Sequence, residues 1–196
     1  MQIIGLTGGI GMGKSTAAQA FRRAGIPVFD ADATVRRLQA RNGRALPAIA
    51  AAFPGTVRNG ALDRAALRAL VLADPAGRRR LEHIMHPMVR AEQRRFIARA
   101  RGAGRRIVVL DIPLLLEGSR RPDVDVVMVV SAPRKLQIAR VLQRRHMSRA
   151  EAEAMIALQM PDALKRRLAD VVIPTGLSRF HATAAIRRFI ARLRNP

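Results

Sequence analysis

A three-layer α/β/α fold on a mainly parallel five-stranded sheet follows from two features of the sequence. A glycine-rich stretch, Gly5-Leu-Thr-Gly-Gly-Ile-Gly-Met-Gly-Lys-Ser-Thr16, lies between the apolar run Ile3-Ile4 and the helix-prone Thr16-Ala-Ala-Gln-Ala-Phe21. Further short apolar runs recur at 26–29, 106–111, 124–130 and 170–173, with helical periodicity between them. Strands alternating with helices give a parallel sheet covered on both faces.

Residues 2–7 read as a buried strand and 14–24 as a helix closed by Gly25. Ile26 to Phe29 is a short second strand running into Asp30-Ala-Asp32. Beyond Asp32 the chain is expected to be helical as far as about residue 103, without a strand of its own. Asp63 is suited to cap one helix there, Asp74-Pro75 to start the next, and His86-Pro87 to open another that ends near Gly102. Arg106 to Asp111 is a continuous apolar strand with a carboxylate at its end, as expected of a strand buried on both faces. Val124 to Val130 and Asp170 to Ile173 complete the sheet. After Ser131-Ala-Pro133, a helix places Gln137, Arg140 and Arg144 on one stripe, facing a cleft or solvent. Ser148-Arg-Ala-Glu151 is a capping box for a further short helix, and an amphipathic helix from about Arg179 ends the chain.

A chain of 196 residues can bury a substantial core without a staple. It has no Cys, which excludes disulfides and thiolate chemistry and fits a reducing cytoplasm. Its four His form no cluster at zinc spacing. With neither a secretory leader pattern nor a run long enough to span a bilayer, the expectation is a cytoplasmic protein without membrane contact. The formal charge of +22 attracts anions, and Arg supplies nearly all of it, Lys occurring only at 14, 135 and 165. The arginines are spread along the chain and aromatic residues are few, which argues for solvated helix faces over a specific nucleic-acid site.

Gly8, followed after four residues by Gly13-Lys14-Ser15, is the P-loop pattern in the strand-to-helix setting it requires. Glycines there let polyphosphate reach backbone N–H groups, and the helix start aims its dipole at the same anion. Gly11, Met12, Gly13, Lys14, Ser15 and Thr16 are thus the candidate nucleotide cradle. Lys14 is assigned to the β- and γ-phosphates and the Ser15 hydroxyl to Mg²⁺. Ligands in such folds lie outside the carboxyl ends of the strands, where Asp30, Asp32 and Asp111 fall. The chain lacks the Asn-Lys-x-Asp guanine reader of GTPases, and its size favours phosphoryl transfer to a small acceptor.

The sequence resembles the dephospho-coenzyme A kinase family along nearly its whole length. The resemblance rests on the P-loop, Asp30-Ala-Asp32, His86-Pro87 with Arg90, and Pro113-Leu-Leu115 with Glu117. It continues through Gln137 with Arg140, Gln159, and Ala169-Asp170 with Val172-Ile173. It implies ATP- and Mg²⁺-dependent phosphorylation of the ribose 3'-hydroxyl of dephospho-coenzyme A, the last step of coenzyme A synthesis. Asp32 is then the group that orients the hydroxyl and accepts its proton, and Asp30 supports the loop or the metal's water shell. Asp111 either reaches Mg²⁺ through water or serves as a cap or structural ion pair. Arg140 contacts phosphate, and Arg144 is a second lid arginine. His86 either shapes the acceptor pocket or is structural. Arg90 is placed on an acceptor phosphate, and Leu114 and Leu115 in the acceptor pocket.

The implied layout is one domain over 1–196, with a core of about 1–31, 104–136 and 169–196. An acceptor-binding helical insertion covers about 32–103 and a lid about 137–168. A monomer or weak homo-oligomer is expected. Alternative readings are another P-loop kinase of nucleotide-like molecules or an ATP-regulated nucleic-acid-binding protein. Three positions depart from the family pattern: Met12 in place of Ser, Leu116 in place of Phe, and Pro174-Thr175 where Asp-Asn is usual near the adenine.

Overall fold

The computed structural model describes residues 1–118, 123–145 and 147–194, with the side chains of 144, 145, 179 and 194 outside the description. The chain divides into two compact units, Met1–Phe29 with Ala100–Pro196, and Asp30–Arg99.

The first unit is built on five strands: β1 (Gln2–Thr7), β2 (Val28–Asp30), β5 (Ile107–Asp111), β6 (Val126–Ser131) and β7 (Val171–Pro174), in the order β2-β5-β1-β6-β7. The sheet is parallel. Leu6 is in register with Asp111 on one side of β1 and with Met128 on the other, which brings the carboxyl ends of β1, β5 and β6 together. Every residue of β5 is buried, as expected for a strand covered on both faces.

α1 (Lys14–Arg23) buries Ala17, Ala18, Ala20 and Phe21. Its end is set by Gly25 at φ +74°, where the N–H groups of Ala24, Gly25 and Ile26 donate to the last carbonyls. α9 (Arg179–Arg194) inserts Ala182, Ile186 and Ile190 into the same core. α6 (Arg134–Arg145) and α7 (Arg149–Ala157) pack together through Ile138, Val141, Ala152 and Ile156. The capping box expected at Ser148 is present, with both reciprocal hydrogen bonds to Glu151. A short α8 (Asp162–Arg167) follows, which periodicity alone does not announce.

The second unit holds α2 (Ala31–Leu38), α3 (Leu46–Ala52), β3 (Val57–Arg58), β4 (Ala61–Leu62), α4 (Arg64–Ala73) and most of α5 (Pro75–Gly102). Leu38, Ile49, Phe53, Leu67 and Met85 form its core. Asp63 and Asp74 accept from backbone N–H groups at the starts of α4 and α5, as their positions predict. On α5, the buried Glu92 accepts from Arg37, Arg44 and Arg95. Burial pushes its carboxyl up, but the hydrogen bonds from Arg44 and Arg95 and the charges of Arg44 and Arg37 outweigh this and hold it below the usual carboxylate range.

Two expectations about this region are overturned. The block is not free of strands, because β3 and β4 pair through an Asn59-Gly60 turn with φ positive at both residues, +48° and +70°. Asn-Gly is the pair that such a two-residue hairpin turn selects. Nor does His86-Pro87 begin a helix, since α5 runs from Pro75 through Pro87 without a break. Leu81, Ile84 and Met85 before the proline and Met88 and Val89 after it pack into one cluster, so tertiary burial carries the helix across the missing N–H.

Candidate active site

Residues 8–13 join β1 to α1. At Gly8 a Cβ would stand 2.4 Å from Val130 Cγ2 and 2.9 Å from Val130 O, so only hydrogen fits where the loop passes β6. Gly13 caps α1 at φ +88°, a left-handed conformation glycine adopts without strain. The first turn of α1 carries no acidic side chain, so nothing there offsets the positive end of its dipole.

Three successive carbonyls of the loop accept side-chain donors. Gln137 Nε2 donates to Ile10 O at 2.9 Å, Arg140 Nη1 to Gly11 O at 3.4 Å, and Thr175 Oγ1 to Met12 O at 2.7 Å. Gln159 Oε1 accepts from Ile10 N–H at 2.8 Å, which holds that residue at both backbone groups. In a planar trans peptide the C=O and the following N–H point opposite ways. Holding the carbonyls of Ile10 and Met12 therefore turns the N–H groups of Gly11 and Gly13 to the other side of the loop. Met12 N–H is engaged inside the loop, donating to Gly9 O at 3.1 Å. The Met12 side chain is buried and its sulfur accepts from Ala132 N–H, which explains how Met fits here.

Lys14 Nζ lies 2.5 Å from Asp111 Oδ1, and both side chains are largely shielded. Asp111 is thus paired with the loop lysine. Ser15 is exposed at the first turn of α1, and Thr16 closes that turn by donating to Gly13 O. Among the described residues there is no group of three or more metal-ligating side chains. A Ser hydroxyl and a carboxylate nonetheless fit Mg²⁺, which favours oxygen donors and is commonly held by few protein groups plus phosphate and water.

Gln137 and Arg140 of the predicted stripe face the loop. Gln137 is buried, and Arg140 also donates to Thr175 O at 2.7 Å. The side chain of Arg144 lies outside the described residues, as does His146. Leu114 is exposed, whereas Leu115 packs over Gly5, where an added Cβ would be 2.5 Å from Leu115 Cδ2. In the second unit, Asp32 is exposed in the first turn of α2, and Asp30 caps that helix by accepting from Ala33 N–H at 2.8 Å. His86 and Arg90 are exposed on α5, one helical turn apart.

Sequence reasoning missed the parts of Thr175 and Lys165. Lys165 is 1 % exposed, and its Nζ lies 2.7 Å from Glu117 Oε1, which also accepts from Met160 N–H. The sequence carries a signal for it: in so arginine-rich a chain a lysine is rare, and Lys14 and Lys165 both pair with carboxylates. Thr175 was visible only as a departure from a family pattern.

A family model described as dephospho-CoA kinase matches residues 2–178. The dephospho-CoA kinase of Gluconobacter oxydans is 52% identical over 198 residues, covering 99% of this chain and 98% of that protein. That of Paramagnetospirillum magneticum is 59% identical over 85% of this chain and 78% of its own length. Among solved structures, TT1252 from Thermus thermophilus superposes with a TM-score of 0.84 at 36% identity, covering 98% of this chain and 97% of that one. Dephospho-CoA kinase from Campylobacter jejuni gives 0.74 at 22% identity over 97% and 96%, a likeness of fold.

Proposed function

The chain belongs to the dephospho-CoA kinase family and phosphorylates dephospho-coenzyme A at the expense of ATP, and we propose the following division of labour among its residues. The Gly11 and Gly13 N–H groups, with the start of α1, receive the ATP phosphates. Lys14 exchanges its contact with Asp111 for, or shares it with, the β- and γ-phosphates. The observation that carries this is the set of loop carbonyls held from behind by Gln137, Arg140 and Thr175. Such a loop is shaped for an anion before one arrives, and little reorganisation remains at the moment of reaction.

Asp32 orients the ribose 3'-hydroxyl and takes its proton. Its place two residues beyond the end of β2 supports this, because ligands of parallel α/β sheets lie past the carboxyl ends of the strands. The transition state of phosphoryl transfer is loose, so an oriented carboxylate of ordinary basicity suffices. Arg140 and Arg144 neutralise charge on the transferred group, acting from a lid of about residues 137–168. Ser15, and Asp111 through water, would hold Mg²⁺, which when bound would neutralise charge developing on the phosphates. His86, Arg90, Leu114 and Leu115 belong to the acceptor side, within an insertion of about 32–103. The protein works as a monomer or weak homo-oligomer in the cytoplasm.

The test is incubation of the purified protein with ATP, Mg²⁺ and dephospho-coenzyme A. Coenzyme A and ADP in equal amounts are the expected products, and their absence alongside turnover of a nucleoside monophosphate would reassign the acceptor.

A further inference from the structure

Beyond the end of β7 lies Thr175, 4 % exposed, whose hydroxyl touches three separate parts of the first unit. Oγ1 is 2.7 Å from Met12 O in the phosphate loop and 3.2 Å from Ser131 O at the end of β6. It accepts from Arg140 Nη1 at 3.3 Å, while the Thr175 carbonyl accepts from Arg140 Nη2 at 2.7 Å. A hydroxyl has one proton to give, and Met12 O is the nearer acceptor. The residue's own N–H donates to Ser131 O at 2.8 Å, which ties its backbone to β6 independently of the side chain.

We propose that Thr175 is a positioning residue for phosphoryl transfer, joining Arg140 and the Met12–Gly13 peptide into one unit. The hydroxyl holds the Met12 carbonyl and so sets the direction of the Gly13 N–H in the same planar peptide. The same oxygen and the adjacent carbonyl grip both terminal nitrogens of Arg140. The loop that receives the phosphates and the arginine that neutralises them are therefore aligned through a single residue, its hydroxyl on both and its carbonyl on the arginine. Removing the hydroxyl leaves the Met12 carbonyl without this donor in a buried setting and takes one acceptor from Arg140 Nη1, while Nη2 keeps the Thr175 carbonyl, so the guanidinium loses one side of its grip. This rests on the reading of Arg140 as a phosphate-contacting group of the kinase.

Thr175→Val keeps the branched shape, the methyl facing Gly13 and the backbone bond to Ser131, and replaces Oγ1 by a methyl that neither donates nor accepts. Thr175→Ser keeps the hydroxyl. Steady-state kinetics in ATP and in dephospho-coenzyme A, with thermal melts, should be measured for both and for Arg140→Lys and the double variant Thr175→Val/Arg140→Lys. Thr175→Val is expected to lower kcat/KM for ATP roughly tenfold to a hundredfold, the cost of a small misplacement of reacting groups. KM for dephospho-coenzyme A should stay where it was, and Thr175→Ser should recover most of the loss. In the Arg140→Lys background the Thr175→Val effect should shrink well below its size in the parent, since the two residues act together. Parent kinetics in Thr175→Val, full multiplication of the two effects, or a loss explained wholly by the melt and not recovered by Ser would each overturn the coupling. Arg140→Lys at the parent rate would instead overturn the Arg140 assignment and the coupling with it, while formation of no coenzyme A by the parent would overturn the function itself.

Discussion

Lys14 and Asp111 sit 2.5 Å apart where β5 and α1 approach. This pairing compensates the charge of a shielded carboxylate and fixes the lysine's ammonium beside the end of β5. Lys14→Ala is therefore expected to abolish productive use of ATP and also to leave Asp111 without this partner, so a loss in ATP-analogue binding should accompany a lower melting temperature. Asp32→Asn should act differently: ATP binding is kept, whereas kcat falls at least a hundredfold, in the range general-base removal produces, roughly 10² to 10⁴. Unchanged turnover in Asp32→Asn removes the proposed base. Lys165 poses a stability question, since its ammonium is fully buried against Glu117. Lys165→Met removes the buried partner of a carboxylate that is itself only partly buried, and is expected to cost about 1 to 3 kcal/mol in urea unfolding. A change below about 1 kcal/mol, the scale of an exposed pair, would show that solvent at the partly exposed Glu117 replaces the ammonium.

At the scale of elements, α5 shows most clearly how packing overrules local signals. A proline inside a helix removes a backbone donor and crowds the carbonyl four residues earlier, at a cost of about 3 kcal/mol in an unconstrained helix. The apolar residues on both sides of Pro87 share one core, and that burial offsets the penalty. Pro87→Ala is accordingly expected to stabilise the protein by about 1 to 3 kcal/mol by chemical denaturation. A destabilised Pro87→Ala would mean that the core is fitted to the proline's geometry. The β3–β4 hairpin shows the reverse, a local signal strong enough to act alone. Asn59-Gly60 takes the positive φ angles that fold the chain back over two-residue strands. Helix starts were legible for the same reason, since Asp63, Asp74 and Ser148 act on N–H groups within three residues.

Across the molecule, the charge of +22 means that few carboxylates serve many arginines. Glu92 answers three of them and is held as a carboxylate. Its folded-state affinity for a proton is below that of the unfolded chain, so it stabilises the fold at and above the ordinary carboxylate pKa of about 4.3. That contribution is lost as pH falls from there through the lowered folded value. Stability measured from pH 6 downward should drop over this window, and Glu92→Gln should flatten the drop while lowering stability at pH 6. An unchanged slope in Glu92→Gln would assign the acid sensitivity to other carboxylates.

The sequence by itself determined the α/β class, the anion loop, most helix starts and the family, because each is written in neighbouring residues or in period. Lys14, Ser15 and Arg140 could be put forward as candidates from it for that reason. Only the tertiary structure decided what stands behind the loop: Gln137, Gln159 and Thr175 are more than a hundred residues from the peptides they hold. Contacts of that separation follow from strand order and helix packing, which side-chain period does not encode. The same holds for Lys165 with Glu117 and for the continuity of α5, where the free energy of burial, summed over residues distant in the chain, outweighed what any short stretch prefers.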